Sequence, residues 1–206
     1  MTRLALRMAD HYFAATPSSP SQPSAVELHL PDVQMTLMTD RGVFSGSRVD
    51  PGTLALLRES ALPPAEGDLL DLGCGYGPVA CVLARRSPGA TIWATDVNSR
   101  ALELTGANAA ALRLANVRTA LPHEVPAGTV FAGIWSNPPI RVGKDALYEL
   151  LSVWMERLAP GASAWLVVNR HLGSDSLAAW LVGRGWGVRR AASKSGYRVL
   201  EVRRPS

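Results

Sequence analysis

Two short segments hold residues whose types and spacing can do chemistry. The first is Asp71-Leu72-Gly73-Cys74-Gly75-Tyr76-Gly77-Pro78, three alternate glycines framed by an acid and a proline. Glycines in a strand-to-helix turn let backbone approach a bound nucleoside closely, because no Cβ stands in the way. A dinucleotide loop spaces its glycines G-x-G-x-x-G and turns the N–H groups of the following helix toward pyrophosphate. Here the third glycine comes one residue early and Pro78, which has no N–H, occupies the old position. Proline suits the first turn of a helix but not an amide meant for phosphate. A cofactor without phosphates fits better.

Asp96 follows Gly77 by 19 residues, where a carboxylate can accept hydrogen bonds from both hydroxyls of a ribose. Its other reading is a helix cap, but Asn98 and Ser99 stand closer to the helix start and cap well themselves. Gly73, Cys74, Gly75, Tyr76, Gly77, Asp96 and Val97 therefore form the expected cofactor site. Asp71 joins them either beside a cationic group of the ligand or as a purely structural acid that holds the glycine turn.

The second segment is Trp135-Ser136-Asn137-Pro138-Pro139-Ile140, about 60 residues beyond the glycine loop. An exocyclic amine on a planar ring is a poor nucleophile, because its lone pair is delocalised. Two acceptors that grip its two hydrogens turn that lone pair out of the ring plane, and the Asn137 side-chain oxygen with the Pro138 carbonyl can supply them. The two prolines stiffen the turn and push Asn137 toward extended backbone. Ile140 would press an apolar face on the target. Asn137, Pro138, Pro139 and Ile140 are the expected catalytic group, with Asn137 also adjoining the cofactor.

These residues need a scaffold that brings two turns to one rim. From Asp68 on, short apolar runs (Leu69 to Leu72, Thr91 to Thr95, Val130 to Ser136, Ala164 to Val168) alternate with helical stretches (Val79 to Arg86, Arg100 to Leu112, Ala146 to Leu158, Ser176 to Gly183). Strands separated by helices predict a parallel sheet with right-handed crossovers and helices on both faces. Gly187 to Lys194 and Tyr197 to Arg203, flanking Ser195-Gly196, predict a terminal antiparallel hairpin. Upstream, Pro/Ser-rich residues 17–24 precede two alternating runs around Pro31-Asp32, a second hairpin. Asp50-Pro51 opens a helix through about Ser60, with aspartate as N-cap. The expectation is one α/β domain over 1–206: a Rossmann-like seven-stranded, mainly parallel sheet in 61–206, and an N-terminal β-hairpin extension within 1–60.

The chain has 206 residues, 47% hydrophobic and 18% charged, which excludes disordered and collagen-like classes. Its two cysteines supply neither a disulfide framework nor a structural zinc site, and the four histidines lack metal-ligand spacing. No metal is expected. Arg3, Arg7 and Asp10 interrupt the first apolar stretch, so neither a signal-peptide core nor a membrane span is expected, and a reducing, cytoplasmic setting fits. Charge is uneven: Arg184 to the end holds seven basic residues against Glu201 alone. Such a stripe reads as a polyanion surface or as an edge strand kept soluble by its arginines. Arg190, Lys194 and Arg198 on it, with Arg48, Arg141 and Lys144 near the rim, are the expected phosphate contacts. Tyr12, Phe13 and Phe44 are the aromatic rings available to stack on a base, since Ile140 cannot.

The glycine loop and its following acid resemble the class I methyltransferases that use S-adenosylmethionine. With Asn-Pro-Pro in place, the chain is similar to the methyltransferase small domain group, and in particular to small-subunit ribosomal RNA guanine-N2 methyltransferases. The likeness runs through Asp10 to Phe13, Thr39 to Ser45, Val49 to Thr53, the glycine loop, Asp96 to Leu102, Ser136 to Lys144 and Lys194 to Tyr197. It implies S-adenosylmethionine as cofactor and methyl transfer to an exocyclic amine of RNA, with ribosomal RNA or a small ribosomal subunit particle as partner rather than DNA or membrane. Two departures from the group are expected: no counterpart to the extra N-terminal domain of longer members, and no acid for an adenine amine in Ala120 to His123. Release-factor glutamine methylation and a non-catalytic RNA-binding or assembly role on the same fold are the alternatives.

Overall fold

The computed structural model describes residues 20–44, 48–138 and 143–204. Seven strands form one sheet: β3 (Glu66–Leu72), β4 (Gly89–Thr95), β5 (Val117–Ala120), β6 (Phe131–Ser136), β7 (Leu158–Asn169), β8 (Gly187–Lys194) and β9 (Tyr197–Arg203). Their order is β5-β4-β3-β6-β7-β9-β8, parallel from β5 to β7, with β9 antiparallel to both of its neighbours. The mainly parallel sheet and its closing hairpin are therefore as the sequence predicts. The sequence pattern set no bounds for β5, a four-residue edge strand with one buried side chain. The chain builds outward from β3 to β5, then returns to place β6 on the other flank of β3. That reversal between β3 and β6 is the switch point at which such sheets bind ligands.

Consecutive residues of the central strands enter two separate cores. Leu69, Trp135 and Trp165 face one core with helices α1 (Pro51–Glu59), α2 (Pro78–Arg86) and α3 (Ser99–Ala111). Leu70, Ile134 and Leu166 face the other, with α4 (Lys144–Met155) and α5 (Ser174–Gly183). Period-two alternation thus covers both faces with helices. None of the described helices is long and apolar enough to cross a membrane.

The N-terminal hairpin of β1 (Ser24–His29) and β2 (Gln34–Thr39) is a separate two-stranded sheet. Its inward residues Val26, Leu28, Met35 and Leu37 join the first core, while Glu27, His29, Thr36 and Met38 face out. Full burial of Leu28 and Leu37 contributes about 1.5–3 kcal/mol each. Polar anchors fix where the hairpin sits. Arg86 makes two bonds to Asp32 in the β1–β2 turn, at 2.7 and 2.9 Å. Buried Asn108 of α3 accepts from the Met38 N–H and donates to the carbonyls of Met38 and Tyr76, all at 2.8 Å. One side chain thereby ties β2 to the glycine loop.

Candidate active site

The glycine loop follows β3 and leads into α2 at the switch point. Gly73, Gly75 and Gly77 all adopt positive φ (78°, 57° and 89°), which explains their spacing better than space does at Gly73, where a Cβ would meet nothing within 4 Å. At Gly77 both reasons apply, since a Cβ would lie 2.8 Å from the Thr105 side chain. The Gly73 and Cys74 N–H groups donate to the Thr95 carbonyl at 2.8 and 2.9 Å, and Thr105 donates to the Gly75 carbonyl at 2.9 Å. Pro78 is the first residue of α2, so this helix start offers no amide there for phosphate.

Asp71 turns its buried carboxylate onto the Ala80 N–H at 2.9 Å, satisfying one of the orphan donors in the first turn of α2. Burial, partly offset by that bond and reinforced by the charge of Asp96, pushes its carboxyl up to about 7. Between the two sequence readings, this geometry supplies the structural one directly. Asp96 ends β4. One of its oxygens accepts from the Gly75 N–H and the other from the Asn98 N–H, each at 3.0 Å. Burial raises its pKa against the opposing pull of these N–H groups. Asn98, not Asp96, caps α3, accepting from the N–H groups of Arg100 and Ala101. An ionised carboxylate has about four acceptor positions, so Asp96 retains capacity for a hydroxyl-bearing ligand. Val97 beside it is 44% exposed, an apolar surface at the rim. The Cys74 thiol is buried, and burial followed by the charges of Asp96 and Asp71 pushes its pKa well up, which disfavours the thiolate.

Asn137 follows β6 on the same rim. Its side-chain nitrogen donates to Asp50 Oδ2 at 2.9 Å and to Thr53 Oγ1 at 3.1 Å. A carboxylate only accepts, so the amide nitrogen must face Asp50 and the amide oxygen must point away. Among the described residues nothing donates to that oxygen. Asp50 itself is the N-cap of α1, as the sequence predicts: its Oδ2 also accepts from the Thr53 N–H at 3.0 Å. Its second oxygen accepts from the Tyr197 hydroxyl at 3.4 Å, brought in by β9. Gly52 makes this approach possible, because a Cβ there would lie 2.7 Å from both Asp50 Oδ2 and the Tyr197 ring.

A small cleft joins these parts. The glycine loop and Asp71 form one wall, Asp50, Thr53 and Asn137 the other, and Phe44, 49% exposed, borders it. Tyr76 also lines the cleft, and its buried hydroxyl has no hydrogen-bond partner among the described residues. These residues fit a nucleoside cofactor. Asp50, Thr53 and Tyr197 are the site residues that sequence reasoning missed as such. The available signs were the family likeness over Val49 to Thr53 and Lys194 to Tyr197, which assigned them no role, and Gly52, a helix-weakening residue in the first turn of α1.

The expected substrate contacts are more dispersed. Tyr12, Phe13, Pro139, Ile140 and Arg141 lie outside the described residues; Pro138 is described and buried. Arg48 precedes α1 and Lys144 opens α4, both exposed near the rim. The terminal stripe divides between the two faces of the sheet. Arg190 and Arg198 lie on the α5 side, where both pair with Asp175, and Arg198 also donates to Ser174 Oγ at 3.0 Å, leaving its side chain 13% exposed. Lys194 lies on the α1 side, 3.8 Å from Glu59. Arg189 and Arg203 flank buried Glu201.

An open, mainly parallel sheet with a phosphate-free glycine turn and an adjoining Asn-Pro corner is the architecture of a Rossmann-like methyltransferase. The chain belongs to the methyltransferase small domain family, whose model matches residues 34–201. It is 33% identical over 200 residues to the uncharacterized protein YbxB of Bacillus subtilis, covering 96% of this chain and 100% of that one. It is 34% identical over 181 residues to the ribosomal RNA small subunit methyltransferase C of Pseudomonas aeruginosa, covering 86% of this chain and 53% of the relative. It thus spans about half the length of such methyltransferases. Among solved structures, a 16S rRNA N2 methyltransferase from T. thermophilus in complex with AdoMet and guanosine superimposes with a TM-score of 0.73 at 25% identity, over 91% of this chain and 52% of that one.

Proposed function

We propose that residues 1–206 act as one S-adenosylmethionine-dependent methyltransferase domain that modifies an exocyclic amine of RNA, guanine N2 of small-subunit ribosomal RNA, in the cytoplasm. The observation that carries the reading is the orientation of Asn137: its nitrogen is engaged by Asp50 and Thr53, so its oxygen is left to accept from an amine beside the glycine loop. The relatives named above support RNA over protein as the substrate.

When bound, S-adenosylmethionine supplies an electrophilic methyl group on a sulfonium centre. Asp96 would hold the ribose hydroxyls, and the glycine turn would lie against the nucleoside. Asn137 Oδ1 and the Pro138 carbonyl would accept the two amine hydrogens and turn the nitrogen lone pair toward the methyl carbon. No base needs to act first, because the alkylated amine is cationic and loses its proton readily to water. Phe44 and the aromatic pair Tyr12 and Phe13 would stack on the base, with Arg48, Arg141 and Lys144 meeting phosphates.

The test is transfer of labelled methyl from S-adenosylmethionine to naked 16S rRNA, to small-subunit particles and, as a protein control, to a release factor. The expected result is labelled N2-methylguanosine in RNA, with Asn137→Ala slowing single turnover by about 10² or more at nearly unchanged cofactor affinity. Labelled release factor, or no transfer with a bound cofactor, would overturn the substrate assignment. Undiminished turnover in the variant would reduce the Asn-Pro-Pro corner to a turn.

A further inference from the structure

A side-chain amide has nearly the same shape in both of its planar orientations, but the two are chemically opposite. With the oxygen outward Asn137 accepts from an amine, and with the nitrogen outward it repels one. We infer that Asp50 is the positioning residue that sets this choice, with Thr53 and Tyr197 as its supports, an inference that rests on the amine-methyltransferase reading of the site. Three features separate this role from helix capping. Asp50 Oδ2 accepts from the Asn137 side chain as well as from the Thr53 N–H of its own helix. The Thr53 hydroxyl gives the Asn137 nitrogen a second acceptor. The Tyr197 hydroxyl engages the remaining Asp50 oxygen from a strand 147 positions away, which no cap requires. Rotating the Asn137 amide by half a turn would set its oxygen against a carboxylate, exchanging a charge-assisted bond for repulsion. Asp50 does not touch the amine. It acts through Asn137.

The experiment uses the whole chain and variants that keep the cap. In Asp50→Ser the hydroxyl still caps α1 but is too short to reach Asn137. In Asp50→Asn the amide oxygen can replace Oδ2 toward both Thr53 and Asn137, while its nitrogen donates to the Tyr197 hydroxyl. The expected results are a kcat about tenfold or more lower in Asp50→Ser, with KM and cofactor affinity within about threefold of wild type, and recovery to within about threefold in Asp50→Asn. A second readout needs no activity: the Asn137 side-chain NH2 resonances should be dispersed and slow to exchange in wild type and in Asp50→Asn, and should move to free-amide positions in Asp50→Ser. A folded Asp50→Ser with wild-type kcat, or with unmoved Asn137 signals, would overturn the inference. Should Asp50→Ser fail to fold, Thr53→Val carries the same two readouts, and wild-type values for both would overturn it. A wild-type protein that methylates no amine would instead remove the functional reading, with the resonances still deciding the orientation.

Discussion

Removing the Asp96 carboxylate separates the role the geometry shows, holding the Gly75 and Asn98 N–H groups, from the proposed one, holding a ribose. In Asp96→Ala the Gly75 and Asn98 N–H groups, each 3.0 Å from a carboxylate oxygen, lose their acceptor. The Gly75 amide borders the open cleft and regains water, so the stability cost falls at the low end of the roughly 1–3 kcal/mol expected for an abandoned donor. Relief of the burial that raises the Asp96 pKa offsets part of it. Cofactor affinity has no such compensation. Charge-assisted bonds to ribose hydroxyls are worth about 1.5–3 kcal/mol, and at about 1.4 kcal/mol per tenfold this weakens binding roughly 10- to 150-fold. Asp96→Asn, which keeps one acceptor oxygen, should fall between. Calorimetric titration with S-adenosylmethionine and its demethylated product measures the loss, and thermal melts measure the stability term. Equal affinity in wild type and Asp96→Ala would refute the ribose assignment, and tight binding of NAD would refute the cofactor class.

Asp71 makes folding pH-dependent. Because burial lifts its carboxyl from 3.8 to about 7, the folded protein holds this proton more tightly than the unfolded chain. Its contribution is full below about pH 4 and is lost as pH rises through 7, so urea melts should show declining stability across that window, flattened by Asp71→Asn; parallel pH profiles would refute the link. The terminal stripe is tested by Arg190→Ala with Lys194→Ala, which leaves Arg198 to pair with Asp175. With about 0.7 counterions released per phosphate contact on single strands, the slope of log RNA affinity against log salt should fall by about one to two units with cofactor binding unchanged. An unaltered slope would assign both residues to their ion pairs with Asp175 and Glu59.

The parts of the site made from local chemistry were legible in the sequence. Glycines that need positive φ, a proline at a helix start and an acid at a strand end declare themselves within a few residues. Asp50 was legible only as a cap, because capping already accounts for an aspartate before Pro51; its bond to Asn137 joins residues 87 positions apart. Arg190, Lys194 and Arg198, expected to meet phosphates together, divide between two faces for an equally physical reason. Strict alternation would put Arg190 and Lys194 on the same face, but a bulge between Arg190 and Ala192 inserts one residue and inverts the pattern. β5 had no clear bounds because a four-residue edge strand buries too little to write a hydrophobic period.

The hydrogen bonds around the glycine loop join residues close in sequence: Gly75 to Asp96, 21 apart; Thr105 to Gly75, 30; Asn108 to Tyr76, 32. The amine corner closes over 87 positions between Asn137 and Asp50, and over 147 between Asp50 and Tyr197. Loop-closure entropy grows with separation, so the contacts of the glycine loop are the less costly to close. On a growing chain the cofactor half has all its residues once α3 is made, whereas Tyr197 arrives with the last strand of the sheet and must slot in between β7 and β8. On the proposed reading, methyl transfer thereby waits on completion of the fold: an unfinished chain has its glycine turn but lacks Tyr197, the support of Asp50 behind Asn137.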